Sequence, residues 1–240
     1  MKYAIVTGGT KGIGKQITKE LLARNYFVFI TFGNDEVEAK RAALDFGMVS
    51  DHFEIFRADQ RNPEKIKLFI DSIHETKCEL DVVVLNAGIT HRGGFLSTEE
   101  KEWEDVFRAN VHSSFLMVKG LYDQMVVSGS IVFIGSLMGL YPHSMSLPYG
   151  VSKAAVEALA KNLVKELSPK KIRVNTLVPG FVDTDWQNQK PQEIRKNIED
   201  KIAIGRFAHT TEIAHACMFL IESGYMNGAT LVVDGGYCYK

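Results

Sequence analysis

The amino-acid sequence predicts an α/β fold, a doubly wound parallel sheet of about seven strands in a single domain with helices on both faces. Short β-branched runs recur along the chain, and they are apolar almost throughout, as expected of strands covered on both sides. Longer segments with a 3.6-residue apolar period lie between them. A glycine-rich turn follows the first run directly.

The first strand, Tyr3–Thr7, runs into Thr7-Gly8-Gly9-Thr10-Lys11-Gly12-Ile13-Gly14. Glycines there let the backbone turn tightly and approach a pyrophosphate, and a following helix N-terminus supplies free N–H groups and partial positive charge. That helix, Gly14–Arg24, carries Ile17, Leu21 and Leu22 on one face. Gly9–Gln16 also comes close to a nucleotide hydrolase P-loop, but Gln16 stands where a magnesium-binding hydroxyl is required. The fourth strand moreover ends in Leu85-Asn86 rather than in an acid.

Strand two, Phe27–Phe32, ends without an acidic residue until Asp35, and strand three is His52–Arg57. Strand four, Asp81–Leu85, leads into Asn86-Ala87-Gly88, and strand five, Ser130–Gly135, leads into Ser136. Both polar groups therefore emerge at carboxyl ends of strands, where open α/β sheets bind their ligands. Tyr149-Gly150-Val151-Ser152-Lys153 opens a long helical pattern reaching Leu167, and Tyr149 and Lys153 share one face at i, i+4. Strand six is Arg173–Val178 and strand seven Thr230–Asp234. Between them the polar excursion 181–205, with its own helical pattern from Gln192 to Ile202, is expected to be a substrate lid, since long loops in compact domains usually serve function.

With 240 residues, the chain is long enough to bury roughly three quarters of its unfolded surface, so neither disulfides nor metals are needed for stability. A formal net charge of −1 gives no bulk pull toward nucleic acid or an anionic membrane. Cys78, Cys217 and Cys238 are widely spaced and read as reduced thiols; the dispersed histidines give no metal-ligand spacing. No signal-peptide pattern and no membrane-length apolar run is present, so the expected location is the cytoplasm.

These residue types suit carbonyl reduction by hydride. The alkoxide formed needs a proton, and a free tyrosine, with a pKa of about 10, is a weak donor. A lysine cation nearby stabilises tyrosinate, so Lys153 is expected to lower the pKa of Tyr149. Ser136 can donate a hydrogen bond to the carbonyl oxygen. The hydride itself belongs to a cofactor.

In this order the motifs resemble those of the short-chain dehydrogenases/reductases, a family with a Rossmann fold, and the resemblance covers essentially the whole chain. It is carried by Thr7-Gly8…Gly12-Ile13-Gly14, Asn86-Ala87-Gly88, Asn110, Ser136, Tyr149-x-x-x-Lys153, Pro179-Gly180 and Val233-Asp234-Gly235-Gly236. The resemblance implies Tyr149 as general acid/base, Ser136 as the substrate-orienting hydroxyl, Lys153 also on the nicotinamide ribose, and Asn110 holding a proton-relay water. It implies a dinucleotide held by Gly8, Thr10, Lys11, Gly12, Ile13 and Gly14, with Asn86, Ala87 and Gly88 on the adenosine side. Asp59 and Gln60 would lie at the adenine, and Pro179, Gly180, Val182 and Thr184 at the nicotinamide amide.

Within the family, Asn86-Ala87-Gly88-Ile89-Thr90 and Pro179-Gly180-Phe181-Val182-Asp183-Thr184-Asp185 are closest to 3-oxoacyl-[acyl-carrier-protein] reductases. The expected reaction is reduction of a thioester-linked or small 3-keto compound. A sugar, polyol or steroid alcohol dehydrogenase, and a catalytically silent dinucleotide sensor or scaffold, are the alternatives. The segment Met125-Val126-Val127-Ser128-Gly129, read as a loop before strand five, lacks the basic residues that would meet an acidic carrier, so docking is expected to be weak; Lys170 and Lys171 remain as contacts. Lys11 and the missing strand-two acid favour NADP(H) over NAD(H). Met138, Tyr141, His143 and Trp186 are expected to line the substrate pocket, and the family suggests a homotetramer.

Overall fold

The computed structural model describes residues 1–141, 146–188 and 190–239. In chain order the elements are β1 (Lys2–Val6), α1 (Gly12–Ala23), β2 (Tyr26–Phe32), α2 (Glu36–Gly47), β3 (Phe53–Arg57), α3 (Pro63–Thr76) and β4 (Leu80–Leu85). The second half holds α4 (Glu100–Phe107), α5 (Ser113–Leu121), β5 (Met125–Ile134), α6 (Leu137–Leu140), α7 (Leu147–Glu166), β6 (Arg173–Pro179), α8 (Asp185–Asn188), α9 (Gln192–Glu199), α10 (Thr210–Glu222) and β7 (Thr230–Val233). A π-helical turn, Arg108–His112, joins α4 to α5.

The strands form one seven-stranded sheet in the order β3-β2-β1-β4-β5-β6-β7. Every neighbouring pair is parallel. The doubly wound fold predicted from the sequence is thus the observed one. The order reverses between β1 and β4, and a crevice opens there at the carboxyl ends of the strands. Alternate strand residues feed two cores, because successive side chains point to opposite faces. Ala4, Val6, Val28 and Ile30 pack with Ile17 and Leu21 of α1 and with Ile213 and Cys217 of α10. Ile5, Phe29, Val83 and Phe133 pack with Ile66 and Ile70 of α3, Met117 of α5 and Val156 of α7.

One sequence expectation is corrected here. Met125–Gly129 is the amino-terminal part of β5 rather than a separate loop. Met125 pairs with Leu80 and Ser130 with Val82, so the intervening residues bulge out of register, and Ser128 takes a φ of 68°. The bulge accommodates Ser-Gly within a strand, which is why it reads as a break.

Candidate active site

The turn after β1 is closed by Asn86 and Ala87, which follow β4. Thr7 Oγ1 accepts the backbone N–H groups of Asn86 and Ala87, each at 3.0 Å. The Asn86 carboxamide donates to the carbonyls of Thr7 and Gly8, again at 3.0 Å. Gly8 has a φ of +62°, a conformation that favours glycine. A Cβ on Gly14 would lie 2.4 Å from both Gly8 O and Asn86 Nδ2, so no side chain fits there. The turn is therefore lined by backbone and opens on the N-terminus of α1, whose first N–H groups lack helical partners. Thr184 approaches from the other side, its Cγ2 3.5 Å from where a Gly12 Cβ would stand.

A cavity of about 570 Å³ extends from this turn across the ends of β4, β5 and β6. Lys11 and Ile13 of the turn and Asn86 and Gly88 after β4 line it. Ser136, Tyr149 and Lys153 meet in its depth, with Met138 beside them and Pro179, Gly180, Val182 and Thr184 along the opposite wall. Lys153 is 5% exposed, and its Nζ donates to the Ile134 carbonyl at 2.7 Å and lies 5.7 Å from the centre of the Tyr149 ring. Ser136 Oγ accepts the Met138 N–H at 3.3 Å and is the hydrogen-bond partner of Tyr149.

Burial pushes the Tyr149 phenol above its ordinary value, against the smaller lowering effect of Ser136. Burial also lowers the Lys153 ammonium to about 8. The expected depression of Tyr149 by Lys153 is thus not met in the protein alone: the ammonium is drawn to Ile134 and lies over the ring, and desolvation is the larger effect. A backbone-lined anion cradle that opens into a cavity lined, among the described residues, by Lys11, Lys153 and Lys190 and by no carboxylate fits a phosphate-bearing dinucleotide.

A model of the family described as short chain dehydrogenase matches residues 2–195. The chain belongs to this family. Curated relatives agree along the whole chain. The human 3-oxoacyl-[acyl-carrier-protein] reductase is 34% identical over 238 residues, covering 98% of this chain and 97% of the relative. The reductase of the same name from Aquifex aeolicus is 31% identical, covering 98% and 96%. A Serratia marcescens short-chain dehydrogenase/reductase superposes with a TM-score of 0.92 at 29% identity, covering 98% and 97%. A Burkholderia cenocepacia short chain dehydrogenase solved with NADP gives 0.91 at 26%, covering 99% and 98%. Membership makes the protein an NAD(P)-dependent oxidoreductase acting on a CH–OH group or the matching carbonyl.

Several residues singled out in this dehydrogenase do not line the cavity. Gly8, Thr10, Gly12 and Gly14 belong to the turn and Ala87 to the segment clamped on it, Thr10 being buried. Asp59 lies in a separate charged groove, where Arg61 above all holds its carboxyl down to about 2. Gln60 Nε2 donates to the Ala58 carbonyl at 3.0 Å. The Asn110 carboxamide accepts Ile89 N–H at 2.8 Å and donates to Ile89 O and Ser152 Oγ, both at 2.9 Å. Both its amide hydrogens are thereby used within the protein.

Tyr141 is 50% exposed, pairs with Cys238 and does not line the cavity, which corrects its expected place in the substrate pocket. The turn after α6 carries its ring outward to the C-terminal segment. His143 and the Trp186 side chain lie outside the described residues. Lys170 does not present its charge to a partner: its Nζ donates to the carbonyls of Tyr122, Asp123 and Met125. Sequence reasoning passed over Ser152, which sits inside the Tyr149-x-x-x-Lys153 spacing, and Lys190, which had no motif to mark it. No helix is long and apolar enough to cross a membrane, and no cluster of metal-ligating side chains occurs among the described residues.

Proposed function

We propose that the protein reduces a 3-oxo group on a thioester or small acyl compound, with NADPH as the preferred reductant. The observation that carries the chemistry is the meeting of Ser136, Tyr149 and Lys153 in a cavity that the glycine-turn residues Lys11 and Ile13 also line. The substrate class is supported by the relatives named 3-oxoacyl-[acyl-carrier-protein] reductase.

The glycine turn and the α1 N-terminus would hold the diphosphate, Lys11 a 2′-phosphate, Lys153 a ribose hydroxyl, and Val182 and Thr184 the carboxamide. When bound, the reduced nicotinamide supplies the hydride. Ser136 donates a hydrogen bond to the substrate carbonyl oxygen and Tyr149 delivers its phenolic proton there as negative charge develops. An ammonium has three donors, and Lys153 spends one on Ile134, leaving others for the ribose. Its charge favours the tyrosinate left behind. Asn110 acts as a positioning residue, tying the Ile89 segment to α7 through Ser152. Residues 181–205 serve as the lid in this reading: Val182 is anchored by a bridge to Ala208, and Phe181, Val182, Thr184, Gln187 and Lys190 line the cavity.

A carrier protein docks weakly in this reading, because Lys170 is engaged with backbone carbonyls and exposed charge pairs contribute only about 0–1 kcal/mol each. The test follows NADPH absorbance with acetoacetyl-CoA and with the same acyl group on a carrier protein, at low and high salt. Turnover of the CoA ester without a large salt-sensitive gain on the carrier is expected. Turnover confined to a sugar, polyol or steroid alcohol would overturn the substrate class.

A further inference from the structure

The cavity wall carries one hydrogen-bonding side chain that neither the chemistry above nor the fold employs. Gln187 of α8 lines the cavity and is 6% exposed. Its Oε1 is shut off from solvent and has no hydrogen-bond partner. Among the described residues, the other buried side-chain atoms in this condition belong to His52, His91, Gln124 and Ser130, none of which lines the cavity. The backbone holds Gln187 in place: its N–H donates to Thr184 O at 2.7 Å and its carbonyl accepts Lys190 N–H at 3.1 Å. The other polar side chains that the chemistry leaves over on this wall are engaged within the protein. Asn86 spends its carboxamide on the glycine turn, Thr90 Oγ1 lies 3.4 Å from Ser146 Oγ, and Lys190 Nζ lies over the Phe181 ring. Ile89, Met138 and Phe181 add apolar lining. A buried acceptor without a donor leaves its desolvation uncompensated, so such an atom calls for a partner. An acceptor in a partly apolar wall selects a ligand that brings it an N–H or O–H over one that does not.

We propose that Gln187 is a specificity-determining residue whose carboxamide oxygen, turned to the cavity by rotation about its last bond, accepts a hydrogen bond from an amide N–H or a hydroxyl of the oxo substrate. The reacting ketone offers no such donor, so the group lies elsewhere, on the arm that bears the thioester or on the acyl chain. This rests on the reading that the cavity reduces an oxo compound.

The test compares wild type, Gln187→Met, Gln187→Glu and an exposed control, Gln192→Met, on two pairs of 3-oxo compounds. Acetoacetyl-N-acetylcysteamine has an amide N–H that S-ethyl acetothioacetate lacks, and ethyl 4-hydroxyacetoacetate has a hydroxyl that ethyl acetoacetate lacks. Methionine keeps the length of the side chain and removes the acceptor, whereas glutamate keeps an acceptor oxygen. The donor-to-donor-free ratio of kcat/KM is expected to fall about tenfold in Gln187→Met, mainly through KM, and to recover in part in Gln187→Glu. A fall in the first pair marks the thioester arm, and a fall in the second marks the acyl chain. The melting temperature of Gln187→Met without ligand should equal or exceed that of wild type, because an unpartnered acceptor is removed. A lower melting temperature would give the carboxamide a structural partner and overturn the proposal. Unchanged ratios, or an equal fall in the Met and Glu variants, overturn it as well. So does a parallel loss of NADPH affinity in a fluorescence titration, which would place Gln187 on the cofactor. If wild type reduces none of the four compounds, calorimetry of the NADP⁺-saturated enzyme with pantetheine and with ethyl 4-hydroxyacetoacetate decides. Binding that disappears in Gln187→Met upholds the acceptor site while the 3-oxo reading falls, and absence of binding overturns both.

Discussion

Asn110 and Ser152 lie 42 residues apart in sequence and are joined by a hydrogen bond of 2.9 Å between the asparagine Nδ2 and the serine Oγ. Ser152 Oγ in turn donates to the Tyr149 carbonyl at 2.8 Å. The π-helical turn 108–112 presents Asn110 at this point, so a local irregularity between α4 and α5 orients the first turns of α7. Replacing Asn110, which is buried, by Leu leaves Ile89 N–H and O without their partner, at a cost of about 1–3 kcal/mol. The expected outcome is a lower melting temperature and a fall in kcat larger than any rise in KM. Asn110→Asp, which keeps the acceptor for Ile89 N–H, should recover part of kcat. Melting curves and steady-state kinetics on both variants check this, and equal kcat in wild type and Asn110→Leu would remove the positioning role.

Tyr149→Phe keeps the ring and removes the phenolic proton. Turnover should fall by roughly 10²–10⁴-fold, the usual contribution of a general acid. NADPH affinity, measured by fluorescence titration, should stay within about twofold because no cofactor contact is assigned to the hydroxyl alone. Residual activity within about tenfold of wild type would take Tyr149 out of the mechanism.

The pH profile follows from the two buried groups. Reduction uses protonated Lys153, whose pKa burial lowers to about 8. Its contribution is complete below that value and is lost as pH rises through it, so kcat/KM for reduction should decline on the alkaline side. Oxidation of the alcohol needs tyrosinate, and burial raises Tyr149, so the oxidation rate should climb as pH rises. In Lys153→Arg the cation persists to pH above about 12, so whatever activity remains should lose the alkaline decline. A decline unchanged in that variant would assign it to another group.

Lys11 tests cofactor choice. It sits 3.7 Å from Asp35, with both side chains well exposed, and such a pair is worth only about 0–1 kcal/mol. Asp35 is also held as the N-cap of α2 through the Glu38 N–H. A 2′-phosphate could therefore displace it as the partner of Lys11. Lys11→Ala should raise the KM for NADPH about tenfold and leave that for NADH within about twofold, as expected for one lost charge-assisted contact. A higher kcat/KM with NADH than with NADPH in wild type would refute the preference.

Period and punctuation alone specified the sheet: apolar strand runs, helical stretches between them, and a glycine turn at the first crossover leave a doubly wound fold as the consistent arrangement. The residues Ser136, Tyr149 and Lys153 were legible because their types and spacing are dictated by proton transfer and by one helical face. The turn residues were legible because only glycine fits a backbone packed against Asn86.

What the tertiary structure decided are the relations between distant segments. Asn86 clamps the glycine turn and Asn110 spends its carboxamide on Ile89 and Ser152, although neither partner is near it in sequence. Tyr141 turns outward, Lys170 caps a set of carbonyls, and Lys190 enters the cavity from the 181–205 segment. A side chain's chemistry is written in its residue type, but its direction, burial and electrostatic neighbours follow from how the layers pack. Burial reversed the expected shift at Tyr149 for the same reason: desolvation depends on the surroundings of a group in space, which no spacing along the chain records.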